Sequence, residues 1–493
     1  MRKSLYRIFS TIGLLTGTSL SVWGQPSFTD VTVSANVANS LPAAPRVGTG
    51  ATWGDYDSDG DLDLYVTNWA SSVSSSINRL YRNNGNGTFT DVASSALVGD
   101  PRNSVAAAWA DYDNDGNLDL YVVNFFEQDQ LYRNNGNGTF SRVTNNAGIN
   151  VISQGDETNA FWGDYNSDGL LDIYVCKRRF RNTMYHNNGN GTFSEIAESA
   201  GVADNRDTEA AAWADYDGDG DQDLYVVNRG QNNALYKNNG SGGFSEVACE
   251  VSIDNTDIGR GASWVDYDLD GDFDLYVLNV GGNALYRNDG NDTFTNVAAG
   301  DIKNTGSSWV SWTSSWADFD SDGEVDVFVA NGAESRSGQA SAFIQQSGGQ
   351  FSDETAVVGI STSATNAISA AAADFDGDLD VDLYIVNSSF PGFEASTLYR
   401  NDTASTSAIL ILPTRAGGSG SAEGIGMQVK VFDGVLLISN QLIIGGTGPI
   451  QALAATPASN DLRAEVINVD GTTLDLEIVQ GVSSYTIAVP ITP

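Results

Sequence analysis

Apolar and polar residues alternate in short runs along most of this chain, and no window shows the three-to-four spacing of a buried helix face. The alternation comes in a fixed order. A run ending in Trp leads into an acidic, glycine-containing segment, and an alternating LDLYV run follows. Seven copies align: WGDYDSDGDLDLYV from Trp53, WADYDNDGNLDLYV from Trp109, WGDYNSDGLLDIYV from Trp162, WADYDGDGDQDLYV from Trp213, WVDYDLDGDFDLYV from Trp264, WADFDSDGEVDVFV from Trp316 and AADFDGDLDVDLYI from Ala372. Successive copies lie 56, 53, 51, 51, 52 and 56 residues apart. A second motif trails each core: LYRNNGNGTF at Leu80 and Leu131, MYHNNGNGTF at Met184, LYKNNGSGGF at Leu235 and LYRNDGNDTF at Leu285. It weakens to FIQQSGGQF at Phe343 and stops at LYRND, Leu398 to Asp402.

Each repeat therefore predicts four strands: the run into Trp, the LDLYV run, LYRN and GTF. Asn-Gly steps between the last two are strong hairpin signals, because both residues accept positive φ. Four strands every ~50 residues predict the blades of a β-propeller. The seventh repeat lacks a GTF strand, but an orphan copy, SFTDVT, stands at Ser27 to Thr32. Pairing that copy with the last repeat closes the ring and leaves no open edge. The expected fold is all-β: a seven-bladed propeller of four-stranded blades over 25–405, followed by a small β domain over 406–493. Residues 1–24 predict an export signal. Arg2, Lys3 and Arg7 precede an apolar stretch too short to span a bilayer comfortably, and small residues suit a cut after Gly24. An uncleaved anchor is the alternative. The mature chain is expected to be secreted, or held at the cell surface or in a periplasm.

Between the first two strands every repeat carries D-x-[DN]-x-D-G-x-x-D or a close variant. The odd loop positions alternate in direction, so carboxylates converge while glycine permits the turn. These positions are Asp55, Asp57, Asp59, Asp61 and Asp63; Asp111, Asp113, Asp115, Asn117 and Asp119; Asp164, Asn166, Asp168, Leu170 and Asp172; Asp215, Asp217, Asp219, Asp221 and Asp223; Asp266, Asp268, Asp270, Asp272 and Asp274; Asp318, Asp320, Asp322, Glu324 and Asp326; Asp374, Asp376, Asp378, Asp380 and Asp382. Six to eight hard oxygens in flexible geometry suit Ca²⁺, with the seventh position offering its backbone carbonyl. Mg²⁺ prefers to keep its waters, and Zn²⁺ wants His or Cys. Up to seven Ca²⁺ sites are expected. Loop three, with Asn166 and Leu170, and loop seven, with Leu379 in place of the turn glycine, depart most. An EF-hand is excluded, since its twelfth-position Glu is Val66 here and Val or Ile in every other copy.

Composition sharpens this. The 493 residues hold 63 Asp and Glu against 24 Lys and Arg, a formal charge of −39. Such a chain does not neutralise nucleic-acid phosphates and gains nothing from anionic lipid. Thirty-two of the acids occupy the odd loop positions, so the charge is concentrated rather than spread. A single His and two Cys exclude His-rich catalysis and a four-thiolate metal site. Cys176 and Cys249 either pair after export or stay free.

The DxDxDGxxD hairpin within a seven-fold repeat resembles the FG-GAP/VCBS blades of integrin alpha chains, and the WxDYDxDGxxDLYVxN…LYRNNGxGTF wording resembles cartilage-acidic-protein-like propellers. The resemblance covers about 380 residues. It implies Ca²⁺ held by the first, third, fifth and ninth of the loop residues named above, a role in adhesion or protein interaction, and a ligand face opposite the loops. GIGMQVKVFDG at Gly424 and GGTGPIQALAAT at Gly445 resemble a UnbV-type C-terminal domain, without its Trp-containing strand or HFGLG-like segment.

The near-identical acidic and NNGNGT turns share one face. The opposite turns differ between repeats: TNWASSVSSSIN, NFFEQDQ, CKRRFRNT, NRGQNN, NVGGN, NGAESRSGQAS and NSSFPGFEAS. Variable turns on a repetitive scaffold suit specific binding of a protein or glycan. The expected partner residues are Trp69, Phe125, Phe126, Lys177, Arg178, Arg179, Phe180, Phe390 and Phe393, with ordinary solvated loops as the alternative reading. The repeat Trp residues fit packing between blades, and His186 fits a surface replacement of the LYRN arginine. No nucleophile stands beside a base, so no catalytic residue is assigned. An extracellular lyase or glycosidase is the competing function, with Glu127, Glu334 and Glu394 as its available acids. A purely structural role is the third.

Overall fold

The computed structural model describes residues 25–39, 50–69, 77–149, 156–304, 310–332, 342–361, 366–387 and 395–403, and beyond these only strands between 408 and 489. Residues 1–24, and with them the export signal, lie outside the described residues.

The alternating runs form antiparallel strands where expected. In the first repeat these are Ala51–Gly54, Asp63–Val66, Arg79–Asn83 and Phe89–Asp91, hydrogen-bonded in that order. Six blades consist of four consecutive strands each. The seventh repeat supplies only Ala367–Ala373, Asp382–Asn387 and Thr397–Asn401. Phe28–Asp30 completes its sheet, pairing Phe28 with Asn401 and Asp30 with Tyr399. The expectation of like blades thus holds for six, and the closing sheet is composite because its own outer strand is missing from the sequence. Inner strands touch in cyclic order, and the first meets the last.

Between blades the core is aromatic. At four junctions the loop's second-position Tyr or Phe packs on the Trp of the following blade: Trp53 on Phe375 at 6.3 Å, Trp109 on Tyr56 at 6.5 Å, Trp162 on Tyr112 at 6.5 Å and Trp264 on Tyr216 at 6.2 Å, all near parallel. Trp53 Nε1 donates to the Ala371 carbonyl and Trp162 Nε1 to that of Ala108, again in the preceding blade. These tryptophans therefore pack blade on blade, as their fixed position predicts.

Six inner strands share a feature that the sequence reading missed. One residue bulges out of register near the start of each: Val105, Thr158, Glu209, Arg260, Trp312 and Ile368. A bulge re-aims a side chain out of the ladder. At three of the six positions the bulge residue is Glu209, Arg260 or Trp312, where the others carry Val, Thr or Ile.

Past the ring, the described residues hold seven strands in two sheets. One sets Ala408–Arg415 between Gln451–Leu453 and Ser484–Val489; the other runs Leu436–Leu442, Gln428–Asp433, Leu462–Ile467, Thr473–Glu477. The pairing of Ala408–Arg415 with Ser484–Val489 is parallel, which no local signal indicated. No helix among the described residues is long and apolar enough to cross a membrane.

Phe28 is buried and meets Phe319 edge-on at 5.9 Å, the place a GTF phenylalanine takes in the other blades. Phe28→Ala should cost about 3 kcal/mol, read as a lower melting temperature. Deleting residues 25–32 should expose the Thr397–Asn401 edge and cause aggregation in size-exclusion chromatography.

Candidate metal loops and the opposite rim

The acidic loops are built by their own carboxylates. Oδ1 of the first-position Asp55 accepts the N–H of Asp59 at 3.1 Å, and Oδ2 accepts that of Gly60 at 3.0 Å. Asp59 Oδ1 then accepts the N–H of Asp61 at 3.0 Å. The same bonds recur in the other loops, for example from Asp115 and Gly116 to Asp111. Gly60 sits at φ +93°, where a side chain is strained. In loop seven Leu379 takes that place at φ +74° and still donates its N–H to Asp374 Oδ2 at 2.9 Å. The turn is kept despite the missing glycine, at a backbone cost of about 1 kcal/mol.

The ninth-position carboxylate closes each loop. Asp63 is fully buried; Oδ2 accepts the N–H of Tyr56 at 3.1 Å and Oδ1 that of Asn83 at 2.8 Å. Asp119, Asp172, Asp223, Asp274, Asp326 and Asp382 repeat both bonds. The LYRN asparagine then reaches the neighbouring blade. Asn83 Nδ2 donates to the Phe375 carbonyl at 2.8 Å, Asn134 to Tyr56 at 2.7 Å and Asn187 to Tyr112 at 2.8 Å. The sequence reading passed over this Asn; its recurrence in six of seven copies was the available signal. In the sixth, Gln346 makes the same reach to Tyr267 at 3.0 Å.

The donor set fits a hard divalent cation. In at least five loops three carboxylates bring oxygens within 4.8 Å of one another, as Asp55, Asp57 and Asp63 do. Asp57 Oδ1 and Asp113 Oδ1 are buried with no hydrogen-bond donor. Burial, with neighbouring carboxylates adding to it, raises Asp63 and Asp223 to about 9 and Asp274 to about 8. Such a cluster holds protons unless positive charge arrives. Part of that charge comes from the basic residue of LYRN. Arg133 pairs with Asp113 at 2.5 Å and Asp115 at 2.8 Å, and Lys237 pairs with Asp217. His186 belongs to this series rather than to open surface: Nδ1 lies 3.1 Å from Asp172 Oδ1, and that contact raises its pKa. Gly85 of the NNG turn, at φ +66°, brings its backbone against Asp61, so a Cβ there would lie 2.6 Å from Oδ2. The acidic and NNGNGT turns therefore share one face.

The expected partner residues sort differently. Trp69, Phe125 and Phe126 gather, with ring centroids 5.1 Å and 4.3 Å apart in sequence order. Phe126 and Phe180 are exposed. Arg179 donates its N–H to Asp207, and Phe390 and Phe393 lie outside the described residues. Lys177 does not belong to a surface. It is buried because it stands directly opposite Glu157 in register. Other blades place an Asn opposite a Ser or Thr here, with Ser104 Oγ donating to Asn124 and Thr208 Oγ1 to Asn228. Where Asn78 and Asn182 donate to the Tyr65 and Tyr174 hydroxyls, blade two has Asp129, which accepts from Tyr121 at 2.8 Å. Three neutral positions have become Asp129, Glu157 and Lys177. Burial and Asp129 raise Glu157 to about 8, and burial raises Asp129 to about 7. Both cysteines are free, Cys176 buried and Cys249 exposed, so the disulfide reading is not met. Cys249 lines a polar cavity of ≈ 500 Å³ with Arg206, Gln231, Asn232 and Asn233.

The repeat matches the FG-GAP-like repeat family over overlapping windows, 55–122, 111–175, 164–226, 215–277, 266–329 and 318–385. The chain belongs to the FG-GAP-like repeat family. It is 24% identical to cartilage acidic protein 1 of Mus musculus over 321 residues, 57% of this chain and 48% of that protein. The human protein of that name matches equally, covering 47% of its length. The chain thus spans about half the length of these curated relatives. Among solved structures, an Agrocybe aegerita lectin recognising non-reducing terminal N-acetylglucosamine is 19% identical, with 62% of this chain and 79% of that one covered and a TM-score of 0.41. YCF48 bound to D1 peptide is 13% identical, with 75% and 96% covered and a TM-score of 0.45.

Two substitutions test these FG-GAP loops and their neighbours. Leu379→Gly should stabilise the fold by about 1 kcal/mol by relieving the left-handed leucine, seen as a raised denaturation midpoint. Glu157 binds its proton more tightly folded than unfolded, so its penalty is absent near pH 4 and grows as pH rises to about 8. Glu157→Gln should therefore match the parent's melting temperature near pH 4 and exceed it above about pH 8.

Proposed function

We propose that this chain is a secreted, calcium-stabilised propeller, a closed ring of seven blades that serves as an adhesion or protein/glycan interaction module. The observation carrying the reading is the repeated donor cluster, with buried Asp57 and Asp113 oxygens that lack a donor. Ca²⁺ would be held by carboxylates at loop positions one, three, five and nine and by the seventh-position carbonyl. Bound there, it supplies positive charge that lets the buried acids ionise and ties loop to strand.

Adhesion follows from the division of labour between faces. One face is repetitive and occupied with ion binding; the other carries the turns that differ from blade to blade. The likeness to cartilage acidic protein 1 supports an extracellular setting, as does the basic-then-apolar start of the chain. We read the strands after 408 as a small separate β domain of UnbV type. Of the acids that a lyase or glycosidase would use, Glu127 accepts the Asn103 N–H at 2.9 Å and holds a turn, while Glu334 and Glu394 lie outside the described residues.

With extracellular ion at about ten times Kd, each site adds about 1.4 kcal/mol. Excess EGTA should lower the melting temperature strongly, and restored Ca²⁺ should recover it; an unchanged transition would sink the calcium reading. A glycan and matrix-protein binding array, run with and without Ca²⁺, tests the interaction role.

A further inference from the structure

In a chain of net charge −39, three guanidiniums converge on one carboxylate at the rim opposite the acidic loops. Glu209, a bulge residue of blade four, accepts Arg178 of blade three at 2.5 Å and the bulged Arg260 of blade five at 2.8 Å. Arg229 stands 3.8 Å from the same carboxylate. Arg260 in turn lies over the ring of Trp312, the bulge residue of blade six, at 4.5 Å. Four neighbouring blades thus contribute to one charged and aromatic cluster, and bulges place its core.

Two observations point to a ligand. Arg178 Nε and Trp312 Nε1 are buried donors with no hydrogen-bond partner, and a buried donor left unpaired is destabilising. The cluster also gathers like charge: burial, and behind it Arg229 and Arg178, lower Arg260 to about 10 against the pull of Glu209. Guanidinium forks recognise carboxylate and sulfate oxygens in pairs. The turn that carries Arg229 continues through Gln231, Asn232 and Asn233 into the ≈ 500 Å³ polar cavity, which Arg206, Glu246 and Asp254 also line, so this part would take a sugar's hydroxyls rather than its acidic group. Amide side chains there suit hydroxyl groups. Guanidiniums, an indole edge and amides on adjoining surfaces match an acidic sugar better than an acidic peptide, which offers few hydroxyls.

We propose that this rim, centred on Arg178, Arg229, Arg260 and Trp312, binds an acidic oligosaccharide through its carboxylate or sulfate groups. The assignment rests on the interaction-module reading and names the ligand class and place. At physiological ionic strength screening acts beyond about 8 Å, so the distant acidic loops repel such a ligand only weakly.

The test uses the full chain with Ca²⁺ and three immobilised probes: oligogalacturonate, heparin-derived oligosaccharide and poly-glutamate, with cello-oligosaccharide as neutral control. Binding of the uronate or sulfate probe is expected, with Arg178→Gln and Arg229→Gln each lowering affinity at least tenfold and Arg79→Gln, on an outer strand pair, leaving it unchanged. Parent affinity should fall as salt rises, which tests the site even if a variant fails to fold. Equal binding by folded Arg178 and Arg229 variants would overturn this site while leaving the interaction role standing. Arginine-dependent binding of poly-glutamate alone would overturn the sugar assignment. No binding of any acidic probe by the parent, with hits elsewhere on the glycan and matrix array, would reject the inference but not the module.

Discussion

A buried carboxylate at the ninth loop position underlies the rest of this structure. Asp63 and its six counterparts accept one N–H from within their loop and one from the third strand. Each fixes a turn, joins two non-adjacent segments of its blade, and aims at a cation site. Burying so many acids is costly without compensation. Two backbone donors offset part of that cost, and the basic residue of LYRN lies close by in most blades. The remaining convergent carboxylate oxygens fit a divalent ion. On the calcium reading proposed above, stability and metal binding would be one property of these loops.

The ring follows from the next link. The strand-three Asn or Gln whose backbone N–H bonds the ninth aspartate also reaches the carbonyl of the second-position aromatic residue in the preceding blade's loop, and at four junctions that aromatic residue stacks on the next Trp. Aspartate and amide couple loop, blade and neighbour around the circle. At the seam, Asn83 reaches Phe375 and Trp53 reaches Ala371 and Phe375. Closure uses the same asparagine reach as the other junctions and the Trp contacts of the Trp109–Trp162 junction, with Phe28–Asp30 filling the one missing strand.

Departures from the repeat carry the individuality of the chain. Asp129, Glu157 and Lys177 replace a neutral network between blades two and three. Glu209, Arg260 and Trp312 stand at bulges where other blades have Val, Thr or Ile. All lie away from the acidic loops, on elements whose repetitive partners hold them in place. The scaffold is uniform at its candidate ion loops and varied on the opposite rim.

Strand pattern, blade order, the acidic loops and the borrowed closing strand were all legible in the sequence, because period-two alternation and Asn-Gly turns act locally and repeat. Leu379 shows how far local rules reach: it breaks the glycine rule, yet the turn forms because Asp374 and Asp382 bind the same backbone groups as elsewhere. The tertiary structure alone decided that Lys177 is buried, since burial depends on its cross-strand partner Glu157. It alone showed the bulges, because whether a residue leaves the ladder depends on the strand paired with it. The meeting of Arg178, Arg229 and Arg260 at Glu209 belongs to the same class, joining positions 82 residues apart that only ring geometry brings together. The parallel pairing of 408–415 with 484–489 was also beyond reach, for no short-range signal marks such a contact. Sequence set the repeating unit; closing the ring decided which of its variations meet.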